Sequence, residues 1–175
     1  MITIEPYRGI SPTIHESVFI CEGARIIGDV VLEKDVSVWY NTVIRGDVNY
    51  IRVGERTNIQ DNSILHVTYK KYPLVIGADV TTGHGVILHG CTVKNSVLIG
   101  MGAILLDNCT VNSNSLIAAG TLVKEGFEVP EGVLLAGVPG RIIRDLSDAE
   151  IEKIQQSARN YMMYVGNYRG KGTKE

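Results

Sequence analysis

Long apolar runs are missing from this 175-residue chain, and no stretch is long enough to span a bilayer. The first dozen residues carry Glu5, Pro6, Arg8 and Gly9 where a secretory leader needs an apolar segment. No signal peptide is expected, and a cytoplasmic location is. Charge of one sign is missing as well. Seventeen Lys and Arg against nineteen Asp and Glu leave a net charge of -2. The one adjacent basic pair, Lys70-Lys71, makes no field for nucleic acid or for a membrane surface. Cysteine is scarce: Cys21, Cys91 and Cys109 are odd in number and lack CxxC spacing. This argues against a disulfide framework or a thiolate metal site and fits a reducing compartment. Aromatic residues make up only 6%, while glycine occurs 19 times, so something other than large rings fills the interior. The length favours a single domain over residues 1–175.

What the chain does have is a period of six. Aliphatic residues recur at Ile14, Ile20, Ile26, Leu32, Val38 and Ile44. After a slip they continue as Val53, Ile59 and Leu65, then as Ile76, Thr82 and Leu88, then from Val93 to Val123. Four residues after each aliphatic stands a small or β-branched side chain, such as Thr42, Thr57, Ser63, Val80, Ala103 or Ser115. No helix makes a strict six, and a β-sandwich has no need of one over so long a stretch. A parallel β-helix does: three hexads close one triangular coil, with the aliphatic inside and the small residue at the corner. Gly28, Gly54, Gly77 and Gly100, each just after an aliphatic, suit close backbone approach there. The repeat fades after Val123, and the β-helix is placed at about residues 10–140. Ser147-Asp-Ala-Glu150 reads as a capping box, and Ile151, Ile154, Ala158, Tyr161 and Val165 follow helical spacing. The fold class is therefore all-β, a parallel β-helix with one C-terminal helix over 147–165 packed on its outside. The tail from Gly166 is expected to fray.

Three hexads per coil turn the sequence into columns. Neighbouring coils lie about 4.7–4.9 Å apart. His66 and His89 each follow their aliphatic by one, three hexads apart, so they stack on one outward face. Arg45 stands one coil below in the same column. Ile27 and Leu106 bound this polar group on either side. A second column stacks Gln60 and Asp61 below Gly83 and His84. His66 and His89 can share a metal, since bonds to imidazole nitrogen run about 2.0–2.1 Å. His84 lies around a corner and cannot join them within one chain. A threefold trimer would bring it against the first face of the next subunit. Three histidines with an open position are the set of a catalytic zinc. The same operation brings Gln60 and Asp61 toward Arg45 and Asp47. A lone histidine on such a surface carries nothing, and His15 reads that way. Arg45 and Asp61 also read as a plain interface ion pair. Tyr161 and Tyr164 read first as helix packing, with a place at the metal as the alternative.

Arg45-Gly46-Asp47, Asn58-Ile59-Gln60-Asp61, His66, and Gly83-His84 followed by His89-Gly90 resemble the γ-class carbonic anhydrases, as do Gly100-Met-Gly-Ala103 and Ala136-Gly-Val-Pro-Gly140. The resemblance covers nearly the whole chain. It implies a left-handed β-helix, a homotrimer with three interfacial metal sites, and reversible hydration of CO2 to bicarbonate, a carbonate-dehydratase lyase reaction. His66, His84 and His89 match the metal ligands, for zinc or alternatively Fe2+ or Co2+. Gln60 matches the residue that hydrogen-bonds the metal-held hydroxide. Arg45 and Asp61 match the pair that bridges subunits, with Asp47 beside it, and Asn58 matches a site-lining residue. The best-known members carry a glutamate directly after the Arg-Gly-Asp aspartate and an acidic loop beyond the first histidine. This chain has Val48 and the carboxylate-free segment Val67 to Val75. It resembles the short, loop-less subgroup, which lacks the usual proton shuttle.

Three other functions compete. The same site could hydrolyse a thioester. The repeat alone would suit an acyltransferase of the hexapeptide class, though that class has no use for the Arg45, Gln60 and Asp61 columns. A trimeric scaffold with a structural metal is the non-enzymatic reading.

Overall fold

The computed structural model describes residues 1–170. The chain winds into a left-handed parallel β-solenoid of about seven turns, followed by one helix. The predicted stacking register holds residue by residue. On the first face Ile26, Ile44, Leu65, Leu88, Leu105 and Val123 form one inward ladder, each paired with the next coil. On the second, Leu32, Val53, Ile76, Val93, Val111 and Val129 do the same. On the third the ladder runs from Ile20 through Val38, Ile59, Thr82, Ile99 and Ile117 to Leu135. Nearly all of these are buried. Each buried aliphatic contributes roughly 1.5–3 kcal/mol, so the ladders hold the coils together without large aromatic side chains.

The corners show why the second rule of the repeat exists. Thr42 Oγ1 donates to Gln60 O (2.9 Å), Thr57 Oγ1 to Gly77 O (2.8 Å) and Ser63 Oγ to Gly83 O (3.2 Å). A small hydroxyl satisfies a carbonyl of the next coil where the ladder of strand hydrogen bonds is interrupted. The adjacent turn residue is left-handed: Asp35, Asn62, Asp79 and Asn108 have φ between 57° and 59°. Asn and Asp tolerate that conformation better than other non-glycine residues.

Two interruptions of the period shape the site. Strand Val43–Val53 runs on across a corner and joins the first two faces, with a register shift where Gly46 passes Gly28. The insertion after His66 makes a short loop closed by an antiparallel bridge from Thr68 to Tyr72.

The solenoid begins before residue 10, and inside the expected 10–140 span the six-residue period continues past Val123, where the sequence pattern fades. Strand Thr3–Glu5 pairs with Arg25–Leu32. At the other end Val129 and Leu135 continue the six-residue period and are fully buried, behind Pro130 and the charged residues Lys124, Glu125 and Glu128. Gly140–Asp145 then folds back antiparallel on Val133–Gly137. The helix Asp148–Tyr168 starts at the expected Ser147–Glu150 capping box and buries Ile154, Ala158 and Val165 against the third face. It runs past Gly166, where fraying was expected, because Tyr168 packs edge-on against Phe19 and Trp39 at 5.7 and 5.3 Å. The rest of that expected tail, 171–175, lies outside the described residues.

The outward sides of the faces differ. The second mixes Val31 and Val75 with Arg52, Thr92, Thr110 and Glu128, and the third is covered by the helix. The first presents Val43, Ile64, Ile87, Ile104 and Leu122 with no element packed over them among the described residues, and Ile64 is 45% exposed.

Candidate metal centre

His66 and His89 end neighbouring strands on the first face and pair directly in register. Their rings are 5.0 Å apart, and His66 Nδ1 faces His89 Nε2 at 3.0 Å. The far nitrogen of each ring meets a carboxylate. His66 Nε2 lies 3.1 Å from Asp47 Oδ1, and His89 Nδ1 lies 2.6 Å from Asp107 Oδ1. Asp47 also takes a hydrogen bond from the Arg45 guanidinium. Burial opposes the Asp47 charge, but Arg45 and His66 outweigh it and hold the carboxyl below its ordinary pKa. Burial likewise lowers the His66 pKa against the pull of Asp47, with Arg45 adding to the decrease.

Proton counting tests whether these residues suit a cation. A neutral imidazole carries one N–H. If each ring points its N–H at its carboxylate, the two remaining nitrogens, each with a lone pair, face each other across 3.0 Å. That arrangement needs a positive charge between the rings. A proton would make one ring an imidazolium, which burial at His66 disfavours. A divalent cation accepts both lone pairs and leaves both N–H···carboxylate bonds intact, the usual outer support of metal-bound histidine. The donor set therefore fits a metal, and it is two ligands short of a tetrahedron.

His84 stands at the opposite edge of the first face, at the corner that follows Thr81–Thr82. Its Nδ1 lies 2.7 Å from Asp61 Oδ2, and half of its side chain (49%) is exposed. The predicted second column is present, with Ile59 opposite Thr82 and the Gly85 N–H donating to Asp61 O. Gln60 is buried and donates through Nε2 to Asn58 Oδ1 at 3.1 Å. Asn58 in turn donates to Thr81 Oγ1 at 3.0 Å. Tyr161 reaches the same corner from the helix. It packs edge-on against Trp39 at 5.4 Å and lines a cavity of about 280 Å³ with Asp61, His84 and Tyr164. Burial, and secondarily Asp61, pushes its pKa up to about 12.

Of the residues singled out from sequence, one corner thus collects Arg45, Asp47, His66 and His89, and the other collects Asn58, Gln60, Asp61, His84 and Tyr161. The two groups do not meet within one chain. Among the described residues no three His, Cys, Asp or Glu side chains come together as a metal site. Arg45 pairs with Asp47 and Asp61 with His84, so the expected Arg45–Asp61 contact does not form inside one subunit. His15 lies exposed beside Ser17. Sequence reasoning missed Asp107. The apolar Leu106 seemed to close the column, but the next residue turns back over Gly90 to reach His89.

No family model matches the chain. A 50% identical relative, protein YrdA of Escherichia coli, aligns over 98% of this chain and 96% of its own length. The mitochondrial gamma carbonic anhydrase 2 of Arabidopsis thaliana is 46% identical over 87% of this chain, which spans 56% of that protein. Among solved structures, a hexapeptide transferase family protein from Anaplasma phagocytophilum superposes with a TM-score of 0.91 at 44% identity, covering 95% of this chain and 98% of the other. With the hexapeptide solenoid, the histidine columns and these relatives together, the chain belongs to the γ carbonic anhydrase family.

Proposed function

We propose that three copies of this chain, each folding as one domain, assemble around a threefold axis and that each interface holds one divalent cation. His66 and His89 of one subunit and His84 of the next are its ligands. Zinc is the first choice of metal, with Fe2+ or Co2+ as substitutes. The observation that carries this reading is the pair of ring nitrogens, His66 Nδ1 and His89 Nε2, 3.0 Å apart with a carboxylate behind each ring. His84 supports it, because its Nδ1 rests on Asp61 and its Nε2 makes no hydrogen bond among the described residues. The apolar outward face lies between the two half-sites. A face with half a site at each edge is completed by a head-to-tail neighbour that closes into a ring.

A cation held there supplies Lewis-acid chemistry, bringing the ionisation of a coordinated water into the neutral range. We assign the assembled site the reversible hydration of CO2 to bicarbonate, a lyase reaction. Gln60, fixed through Asn58, has an Oε1 with no donor among the described residues, which accepts a hydrogen bond and so orients the attacking oxygen. Tyr161 stays protonated near neutral pH and serves as a donor at the rim rather than as a base. Arg45 exchanges part of its contact with Asp47 for Asp61 of the next subunit and fixes the register between copies. Asp47 keeps His66 in the tautomer that aims Nδ1 outward. The three free, buried cysteines suit the cytoplasm.

The test is metal content together with CO2 hydration, measured on protein purified without added zinc and again with ferrous iron under anaerobic conditions. One metal per chain, and hydration that rises with occupancy, are expected. A trimer fully loaded with metal and inactive toward CO2 in every buffer would move the site to thioester hydrolysis or to a structural role. Failure to bind any metal would end the reading.

A further inference from the structure

Asp107 lies in the corner after Ile104–Leu105, one coil above His89, and both of its carboxylate oxygens are used. Oδ1 accepts from His89 Nδ1 at 2.6 Å, and Oδ2 accepts from Thr68 Oγ1 at 2.6 Å. The two donors come from different coils, so the carboxylate spans both. Its backbone is pinned on either side. The Asn108 N–H donates to Gly90 O at 2.8 Å, and Asp107 O accepts from the Gly126 N–H at 2.9 Å. Room for the side chain exists because residue 90 is glycine. A Cβ there would sit 2.4 Å from Asp107 Oδ1 and 2.9 Å from the Tyr72 Cβ. The Asp107 side chain is only 23% exposed.

This arrangement differs from the one behind His66. Asp47 is shared between His66 and Arg45, whereas Asp107 forms no ion pair with a Lys or Arg among the described residues, feels Lys71 only at longer range, and has a threonine hydroxyl as its second donor. A carboxylate held in this way accepts a hydrogen bond from the Nδ1–H of His89, fixes the tautomer with Nε2 unprotonated, and stops the ring from turning. Thr68 begins the loop that leaves His66, and its backbone N–H donates to Tyr72 O at 3.0 Å. One hydroxyl therefore ties the loop behind the first histidine to the carboxylate behind the second.

We propose that Asp107 is a positioning residue of the metal centre, clamped by Thr68 and seated over Gly90, and that it sets metal affinity by holding His89 in its ligating tautomer and orientation. This rests on the reading of His89 as a ligand. Asp107→Asn keeps an oxygen that can face His89 but removes the charge, and Asp107→Ala removes both. Thr68→Val leaves the carboxylate and removes its clamp, while Thr68→Ser restores the hydroxyl.

The experiment measures zinc affinity by competition with a chelator, and the visible spectrum of the Co2+-loaded trimer, for the wild type and these four variants. Melting of the metal-free proteins and sedimentation are recorded alongside. Asp107→Ala is expected to weaken zinc binding roughly 10–100-fold and to shift the cobalt bands. Asp107→Asn and Thr68→Val should move the same way by less, and Thr68→Ser should return to the wild-type values. Sedimentation should stay unchanged. Wild-type affinity and an unshifted cobalt spectrum in Asp107→Ala overturn the proposal. If the affinity loss in each variant merely tracks a lower metal-free melting temperature, Asp107 is a fold residue and the proposal also fails. Failure of the underlying reading looks different: the wild type itself binds no zinc, or His89→Ala binds it as tightly as the wild type.

Discussion

The two corners that flank the apolar first face are built differently. At the first, two imidazoles are half-buried, stacked in register and each backed by a carboxylate, with Arg45 and Thr68 as further donors. At the second, one imidazole rests on one carboxylate beside an aromatic cavity, and half of its side chain is open to solvent. The first corner is organised before any partner arrives. The second can adjust by a rotamer change as a partner docks. A site divided in this way gains affinity from the rigid half and tolerance in docking from the soft half.

Removing a ligand from either corner should have the largest effect. His66→Ala and His84→Ala should each lose metal binding altogether. After verified subunit exchange, a mixed trimer contains one interface that draws His66 and His89 from one variant and His84 from the other. Equal mixing should therefore return about a quarter of the wild-type sites. Metal content after exchange is the readout, and no recovery would mean that the ligands do not come from two chains.

Gly90→Ala should disable the first corner and spare the second. The left-handed backbone at Gly90 (φ 53°) and the contact with Asp107 make a side chain costly, by about 1–3 kcal/mol. Thermal melting should fall accordingly, and metal affinity should fall with it because Asp107 is displaced. The alanine variant at Gly132, where φ is 71° and no atom lies within 4 Å of the added Cβ, is the matched control outside both corners. It shares the backbone strain and should keep its metal affinity.

Arg45→Ala should act across the interface more than within the fold. Arg45 is 43% exposed in one chain and lies at the edge of the apolar face. Its loss is expected to weaken the trimer by roughly 1–3 kcal/mol, about a 5- to 150-fold weaker association, since Asp61 of the next subunit is left without its cation. Sedimentation at low concentration reads this directly, and an unchanged trimer would return Arg45 to the service of Asp47 alone.

The columns were legible because a strict six-residue period makes the distance along the chain equal to height along the axis. Leu65 opposite Leu88 and Ile59 opposite Thr82 follow from counting alone. Asp107 escaped the count because it stands two residues after its aliphatic, in a column whose neighbour is a glycine, and a position without a side chain gives no pattern to follow. The last coil was hidden for a different reason. Lys124, Glu125, Glu128 and Pro130 sit at outward or corner positions, where charge and proline are harmless, yet they mask Val129 and Leu135, which continue the period inside. The helix end was fixed by Phe19 and Trp39, more than a hundred residues upstream, which helical spacing cannot register.

The smallest effect expected concerns the path by which protons leave. Beside the first corner lies a cavity of about 490 Å³ lined by Tyr7, Arg8, Asp47, Val48, Tyr69 and Lys70. Asp29 also lines it but is paired with Arg52 at 2.8 Å, and the carboxylate that touches His66, Asp47, is engaged with Arg45 as well and held below its ordinary pKa, which makes it a poor proton acceptor near neutral pH. The loop from Val67 to Val75 adds no acid. Protons released in CO2 hydration must therefore pass to buffer or water, and turnover should be slow and should climb several-fold as an imidazole-type buffer is added at fixed pH and ionic strength. Val48→Glu adds a carboxylate at the wall of that cavity. It should raise the rate at low buffer concentration and flatten the buffer dependence, with metal affinity unchanged. Stopped-flow hydration rates across a buffer series decide the matter. A wild-type rate that is already high and indifferent to buffer would show that a group present in the chain carries the proton, with Tyr69 in the cavity wall the first to replace by phenylalanine.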